Sequence, residues 1–165
     1  MSQDPILAEL VRRVTNLEDD LMRQTARISV PVSGAFFSAY ANATTTLNAG
    51  VMTTVALGAT TYTDGNFNTS TSTYTCPVAG HYLFIGSVEI SPSVAGYFVV
   101  TINNGGVVQA HSQDIVVASS AGYAQQVGKV FACAAGDLIT MTASTGATNV
   151  AISGAQYTFL VGQIQ

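Results

Sequence analysis

Charged side chains are scarce in this chain of 165 residues. They make up 8% of the sequence, whereas an ordinary globular protein carries about 25%. Nine of them lie in residues 1–27, and the rest of the chain holds only five: Asp64, Glu89, Asp114, Lys129 and Asp137. Because only one of these five is basic, the region after residue 27 lacks the positive surface that neutralises phosphates. The composition therefore excludes nucleic-acid binding.

Other features that mark particular protein classes are also missing. No uninterrupted apolar run reaches about 18 residues, so we expect no membrane insertion. Two cysteines do not make a disulfide scaffold, and 48% hydrophobic residues exclude a disordered chain. The first residues, MSQDPILAEL, lack a positive segment followed by an apolar one, so we expect no secretory signal peptide.

A heptad pattern occupies the first 28 residues. Asp4 and Pro5 are typical of a helix start. Residues at alternating spacings of three and four then form a seam whose polar member is Gln24 and whose apolar members are Leu7, Leu10, Val14, Leu17, Leu21 and Ile28. This spacing predicts a coiled-coil stalk and anchor over residues 1–28. A surface helix packed on the following domain is the alternative.

The composition of residues 29–165 is that of an all-β domain. Thr, Val, Phe and Tyr accumulate, and turn signals such as Asp64-Gly65 and Ala135-Gly136 recur at short intervals. We expect ten strands, over residues 34–40, 51–57, 67–76, 81–90, 95–103, 106–112, 114–118, 123–133, 137–144 and 156–164. Segments 97–100 and 115–117 are apolar at successive positions, so both faces of these strands should be covered by a second sheet or another subunit.

Two motifs in this region resemble those of C1q-like domains. In that family an aromatic residue lies about seven residues before an aromatic strand that ends in a Cys-Pro-Val-x-Gly-x-Tyr-x-Phe run, and a Gly-Asp turn follows a later strand. The residues here that match are Phe67, Tyr74, Gly80, Tyr82, Phe84, Gly136 and Asp137. The segment 34–40 is similar to the opening strand of the family, and the resemblance spans about residues 33–162.

The resemblance implies a ten-stranded C1q/TNF-type jelly roll that assembles as a homotrimer. The stalk would then be a three-helix coiled coil that enters the base of this trimer. Tyr82 and Phe84 share one face of a strand, so they can pack in the core or along the threefold axis.

The chemistry-bearing residues do not form a recognisable catalytic or metal site. His111-Ser112-Gln113-Asp114 contains the residue types of a hydrolase triad, but adjacency in sequence is not triad geometry and no Gly-x-Ser-x-Gly motif is present. We therefore expect no enzymatic activity. The four carboxylates after residue 28 are not clustered as in an ion-binding loop, so we expect no cofactor, with calcium as the alternative.

Three further residues have alternative interpretations. Cys76 and Cys133 could form a disulfide or remain as two small buried thiols. His81 follows a turn glycine and is most simply a polar or interface residue.

These features together predict a structural or adhesive protein. An extracellular type of module without a secretion signal needs another route out of the cell, and a virus particle released by host lysis supplies one. We therefore expect a bacteriophage virion protein that is assembled in the host cytoplasm and lies at the virion surface. It would be a trimeric fibre, decoration or knob of the head or tail.

The N-terminal helix would anchor this protein to other virion proteins, and the β domain would face a host-surface glycan or protein. The alternative is a bacterial C1q-like module that binds a glycan or a protein as a lectin.

Overall fold

The structure of the chain is a computed structural model that describes residues 34–118, 122–151, 154 and 158–164. The predicted coiled coil over residues 1–28 lies outside these described residues. The secondary structure of the described residues consists of β-strands, arranged in two antiparallel sheets. The predicted all-β sandwich is confirmed. The described residues from Ala35 onward belong to one compact unit.

Thirteen strands make up the described part of the sandwich. They are β1 (Phe36–Tyr40), β2 (Thr45–Leu47), β3 (Thr53–Thr54), β4 (Ala59–Thr63), β5 (Phe67–Asn68), β6 (Thr73–Thr75), β7 (Gly80–Ile90), β8 (Gly96–Asn104), β9 (Val107–Val116), β10 (Tyr123–Cys133), β11 (Leu138–Thr145), β12 (Asn149–Ala151) and β13 (Phe159–Ile164). Sheet A has the order β2-β12-β7-β13-β1-β4, and β10 also pairs with β7. Sheet B has the order β5-β6-β11-β8-β9, and β3 also pairs with β11.

The strand count differs from the ten that the sequence predicts. The predicted strand 67–76 is divided into β5 and β6 by a turn in which Ser72 has a φ of 53°. The two strands predicted over 106–118 are one strand, β9. Three short strands, β2, β4 and β12, were not predicted, because they are rich in Thr and Asn and lack an apolar alternation.

Aromatic side chains from both sheets fill the centre of the sandwich. Phe37 of β1 stacks on Tyr74 of β6 with ring centroids 4.2 Å apart, and on Phe67 of β5 at 5.0 Å. Phe84 of β7 lies 5.0 Å from Phe131 of β10. Because aromatic pairs at these separations attract each other beyond the effect of burial alone, the cluster holds the two sheets face to face.

Candidate functional site

The outer face of sheet A is the most distinctive surface of the sandwich. Along β7 the side chains alternate, so that Phe84 points into the core while Leu83 and Ile85 point outward. In the antiparallel register Ile85 stands beside Val161 of β13, and Val161 stands beside Ser38 of β1. Because β10 pairs with β7 and β4 pairs with β1, the outward positions of five strands meet on one surface.

Most of these outward positions carry apolar or aromatic side chains. Phe36 of β1 stacks on Tyr62 of β4, with ring centroids 3.8 Å apart and planes 4° from parallel. Ile85 is 41% exposed and Tyr62 is 47% exposed. We call this surface the apolar face, and its members are Phe36, Ser38, Tyr40, Tyr62, Leu83, Ile85, Val130, Phe159 and Val161. Contiguous exposed apolar surface of this kind marks an interaction site.

Charge is almost absent from the outer face of sheet A. The strands of this sheet contain two charged residues, Glu89 of β7 and Lys129 of β10. Lys129 donates a hydrogen bond of 2.9 Å from its Nζ to the carbonyl oxygen of Gln109 in sheet B, so it spans the edge of the sandwich. Glu89 thus remains as the charged side chain on the outer face of these strands. His81 occupies the opposite end of β7 and is exposed.

The strand edges beside this surface are joined by polar side chains. The Tyr123 hydroxyl of β10 donates a hydrogen bond to the Asp114 carboxylate of β9, and the Gln125 side-chain amide donates one to the Ser112 hydroxyl. The bond from Tyr123 is the main reason that the pKa of Asp114 is lowered. These bonds connect an edge strand of sheet A to an edge strand of sheet B.

The same contacts account for the His111-Ser112-Gln113-Asp114 segment. Consecutive residues of a strand point to opposite faces, so His111 and Ser112 point away from each other. Ser112 and Asp114 have partners on β10. The sequence-based expectation that these four residues are not a catalytic triad is consistent with this geometry.

Three of the four carboxylates after residue 28, those of Asp64, Asp114 and Asp137, accept separate local hydrogen bonds. Asp64 accepts a hydrogen bond of 2.8 Å from the Tyr74 hydroxyl, and Asp137 accepts one of 2.6 Å from the Asn104 side-chain amide. The bond from Asn104 is the largest cause of the lowered pKa of Asp137. Within the described residues, no group of three or more His, Cys, Asp or Glu side chains is arranged to hold a metal ion.

The aromatic residues of the C1q-like motif lie in the core. Tyr82 and Phe84, for which the sequence allows a place in the core or along a threefold axis, are both fully buried between the sheets. Phe67 and Tyr74 belong to the same buried cluster.

The glycines and the aspartate of the motif shape the local backbone. A Cβ at Gly80 would lie 2.8 Å from Cδ1 of Ile164, so the absence of a side chain permits this contact. Gly136 has a φ of +89°, which glycine adopts without steric cost, in the turn that presents Asp137.

Cys76 and Cys133 are buried free thiols. Gly136 donates a backbone hydrogen bond of 2.8 Å to the Cys76 carbonyl, which holds Cys76 against the turn that follows Cys133. Burial raises the pKa of both thiols. Of the two alternatives that the sequence leaves open, the structure contains the buried thiols.

Sequence reasoning does not find the apolar face as a surface. Its members alternate with core residues along the same strands, so the segments appear simply hydrophobic. The available signal is the presence of apolar residues at consecutive positions, as from Tyr82 to Ile85 in β7. The same signal occurs in sheet B, in segments 97–100 and 115–117. There Phe98, Val100 and Val116 are buried, whereas Tyr97 is 37% exposed and Ile115 is 78% exposed.

Comparison with known proteins gives matches at the level of structure. No protein-family model matches the chain, and no curated protein sequence matches it significantly. The structure of Eiger TNF from S. frugiperda matches with a TM-score of 0.63 at 9% identity, covering 80% of this chain and 92% of that one. The globular domain of the zebrafish complement 1qA protein matches with a TM-score of 0.55 at 16% identity, covering 78% and 94%.

Murine APRIL at pH 5.0 matches with a TM-score of 0.58 at 18% identity, covering 80% of this chain and 99% of that one. The fold is a C1q/TNF-like jelly roll. At these identities the likeness establishes the C1q/TNF-like fold and leaves function to the residues themselves. No helix in the described ranges has the length and hydropathy needed to cross a membrane.

Proposed function

We propose that this C1q/TNF-like chain is a non-enzymatic structural or adhesive module that assembles as a homotrimer through its apolar face. The observation that supports this proposal is the outer face of sheet A, where exposed Ile85 and the stacked pair of Phe36 and Tyr62 lie with almost no charge around them. Removing such a surface from water contributes about 25 cal/mol for each Å² of apolar area. A second copy of the chain can supply the covering surface.

The partner surface for the apolar face is available elsewhere on the same domain. Ile115 and Val117, at the end of β9 and just after it, are 78% and 72% exposed, and Val94 is 54% exposed. When one patch contacts a different patch on the next copy, the contact is heterologous and closes into a ring if the rotation allows it. The homotrimer implied by the resemblance to C1q-like domains is a ring of this kind.

The test is a charge placed on each sheet in turn. Ile85→Glu introduces a carboxylate into the apolar face. Leu138→Glu introduces one on sheet B at a similarly exposed position, since Leu138 is 49% exposed and Ile85 is 41% exposed. We expect Ile85→Glu to dissociate the assembly and Leu138→Glu to leave its mass unchanged. Equal masses for both variants and the unmodified chain would contradict the role of the apolar face.

We further propose that the module is a component of a bacteriophage virion. A heptad segment ahead of a self-associating β domain is the organisation of a short fibre, decoration or knob, with residues 1–28 binding other virion proteins and the β domain facing outward. We expect neither nucleic-acid binding nor membrane insertion. Mass spectrometry of purified virus particles tests this assignment, because the chain must be present in stoichiometric amounts.

The second candidate function is a bacterial lectin that works without a particle. The uncharged hydroxyl and amide groups on sheet B favour it, because such groups bind sugar hydroxyls. Specific glycan binding by the chain, together with its absence from purified particles, would favour this function over the virion assignment.

A further inference from the structure

A cavity of about 310 Å³ lies on the outer face of sheet B, on the side of the sandwich away from the apolar face. Met52 and Val108 form apolar walls and are 47% and 52% exposed. Thr54 of β3 and Thr142 of β11 are cross-strand partners in its lining. The cavity therefore combines exposed apolar walls with hydroxyl groups on adjacent strands.

Asn103 and Thr142 line the cavity and form a hydrogen-bonded set with Thr101 beside them. The Asn103 amide donates bonds of 3.1 Å from its Nδ2 to the hydroxyl oxygens of both Thr101 and Thr142. Thr101 and Thr142 are 2.7 Å apart between their hydroxyl oxygens, so one of them donates to the other. Asn103 is only 5% exposed and Thr101 only 2%. The set is thus fixed in the sheet surface rather than free in solvent.

Counting donors and acceptors shows that this set has unused capacity. Both N–H groups of Asn103 are engaged, but its Oδ1 has a single contact, 3.5 Å from the Thr101 hydroxyl, which is too long for a strong bond. Between Thr101 and Thr142 one hydroxyl proton serves the mutual bond. If Thr101 uses it, the proton of Thr142 is free. If Thr142 uses it, the proton of Thr101 can instead reach Asn103 Oδ1. In the first arrangement, the amide oxygen of Asn103 and the hydroxyl of Thr142 form an acceptor and a donor side by side.

A β-bulge shapes the wall beside Asn103. The register of β8 with β9 pairs Ile102 with Ala110 but Asn103 with Val108, so Gln109 is left over. In a regular register, Gln109 would stand opposite Asn103. The bulge instead pairs Val108 with Asn103, so Val108 lies beside the residue that carries the amide. Bulges of this kind re-aim side chains and are common beside functional sites.

The chemistry of the lining selects a class of ligand. None of the lining residues is charged, so an ionic ligand would lose hydration without gaining a countercharge. A donor and an acceptor that lie side by side can both form hydrogen bonds with a hydroxyl group of a ligand. The Met52 and Val108 side chains can pack against C–H groups of the same ligand. Small-molecule sites range from about 300 to 1,000 Å³, so this volume suits one sugar unit.

We propose that this cavity binds a neutral polyhydroxylated ligand the size of one sugar unit, with Asn103 and Thr142 bonding its hydroxyl groups. The proposal rests on the adhesive role proposed above and supplies its site and ligand class. Because the cavity and the apolar face lie on different sheets, binding and self-association can be measured separately on the same sample.

The experiment uses the full chain and saturation-transfer NMR with methyl α-glucoside, methyl β-galactoside, N-acetylglucosamine and, as a charged comparison, glucuronic acid. We expect at least one neutral sugar to bind with a dissociation constant of about 1–10 mM. Thr54→Trp places a large ring opposite Thr142 and should weaken that binding at least about tenfold, which corresponds to about 1.4 kcal/mol. Thr142→Val should also weaken it, because it removes the free hydroxyl.

The matched control is Thr46→Trp, which puts the same ring on an exposed position of β2 in sheet A and should leave binding unchanged. Absence of binding by all three neutral sugars would overturn the proposal, as would binding that Thr54→Trp does not alter or a preference for glucuronic acid. The oligomeric mass of each sample is measured alongside. An assembled chain that binds no neutral sugar contradicts the cavity alone, and a monomer that binds sugar contradicts the self-association alone.

Discussion

The carboxylate of Asp137 accepts a hydrogen bond of 2.6 Å from the side-chain amide of Asn104. The same oxygen accepts a second bond of 2.9 Å from the backbone N–H of Ala134. Asn104 ends β8 at the hairpin to β9, and Asp137 lies in the turn from β10 to β11. One carboxylate therefore ties together two turns that are far apart in sequence, and both bonds favour its charged form.

Replacing this carboxylate should make the domain less stable in a pH-dependent way. The hydrogen bonds hold the pKa of Asp137 below its ordinary value of 3.8, so its charge adds stability above that value and the contribution is lost as the pH falls through the lower, folded-state pKa. We expect Asp137→Asn to unfold at a lower urea concentration than the unmodified chain at pH 7, with a smaller difference at pH 3. A difference of the same size at both values would contradict this interpretation.

Gly162 lies where two aromatic rings of the core meet. A Cβ at this position would fall 2.4 Å from Cε1 of Phe37 and 2.6 Å from Cε1 of Phe84. Overpacking of this kind costs about 1–3 kcal/mol, so Gly162→Ala should lower the free energy of unfolding by that amount. The control is Gly128→Ala on β10, where the nearest atom to the added methyl is 3.4 Å away. Equal stabilities for the two variants would show that the core at Gly162 is not tightly packed.

The two thiols should be unreactive in the folded protein. Cys76 is fully buried and Cys133 is 5% exposed, and burial raises the pKa of each, so little thiolate is present or accessible at neutral pH. We expect neither to react with Ellman's reagent in the native chain and both to react after unfolding in guanidinium chloride. Rapid reaction of the folded chain would contradict the burial. Fewer than two thiols after unfolding would indicate a disulfide.

Removal of residues 1–28 should leave the β domain assembled. Three heptads form a marginal coiled coil in isolation, whereas the apolar face belongs to the domain itself. We expect the truncated chain to sediment as the same oligomer as the full chain, with a mass reduced only by the missing residues. A monomeric β domain would instead assign self-association to the N-terminal heptads.

The longest strands could be predicted from sequence because their pattern is strong. Tyr82 and Phe84 alternate with outward residues, so β7 can be recognised from its sequence. β10 can be recognised in the same way, because Phe131 also alternates with outward residues. The strand β4 could not be found in this way. Its residues are partly or fully exposed, as in the case of Tyr62 at 47%, so it has no buried face to produce an apolar alternation.

The candidate sites were less accessible to sequence reasoning than the core. Asn103 ends the predicted strand 95–103, but its partner Thr142 is 39 residues away and only the β8–β11 register brings them together. The apolar face depends in the same way on five strands. A surface built from register rather than from a local motif requires the strand pairings to be known.

The mass of the full chain in solution is the most direct test of the proposal that the apolar face drives self-association. Light scattering coupled to size exclusion at micromolar concentration gives this mass without reference to molecular shape. We predict three times the 17.1 kDa of one chain. A mass of 17.1 kDa at that concentration would contradict the homotrimer and leave the apolar face without a partner.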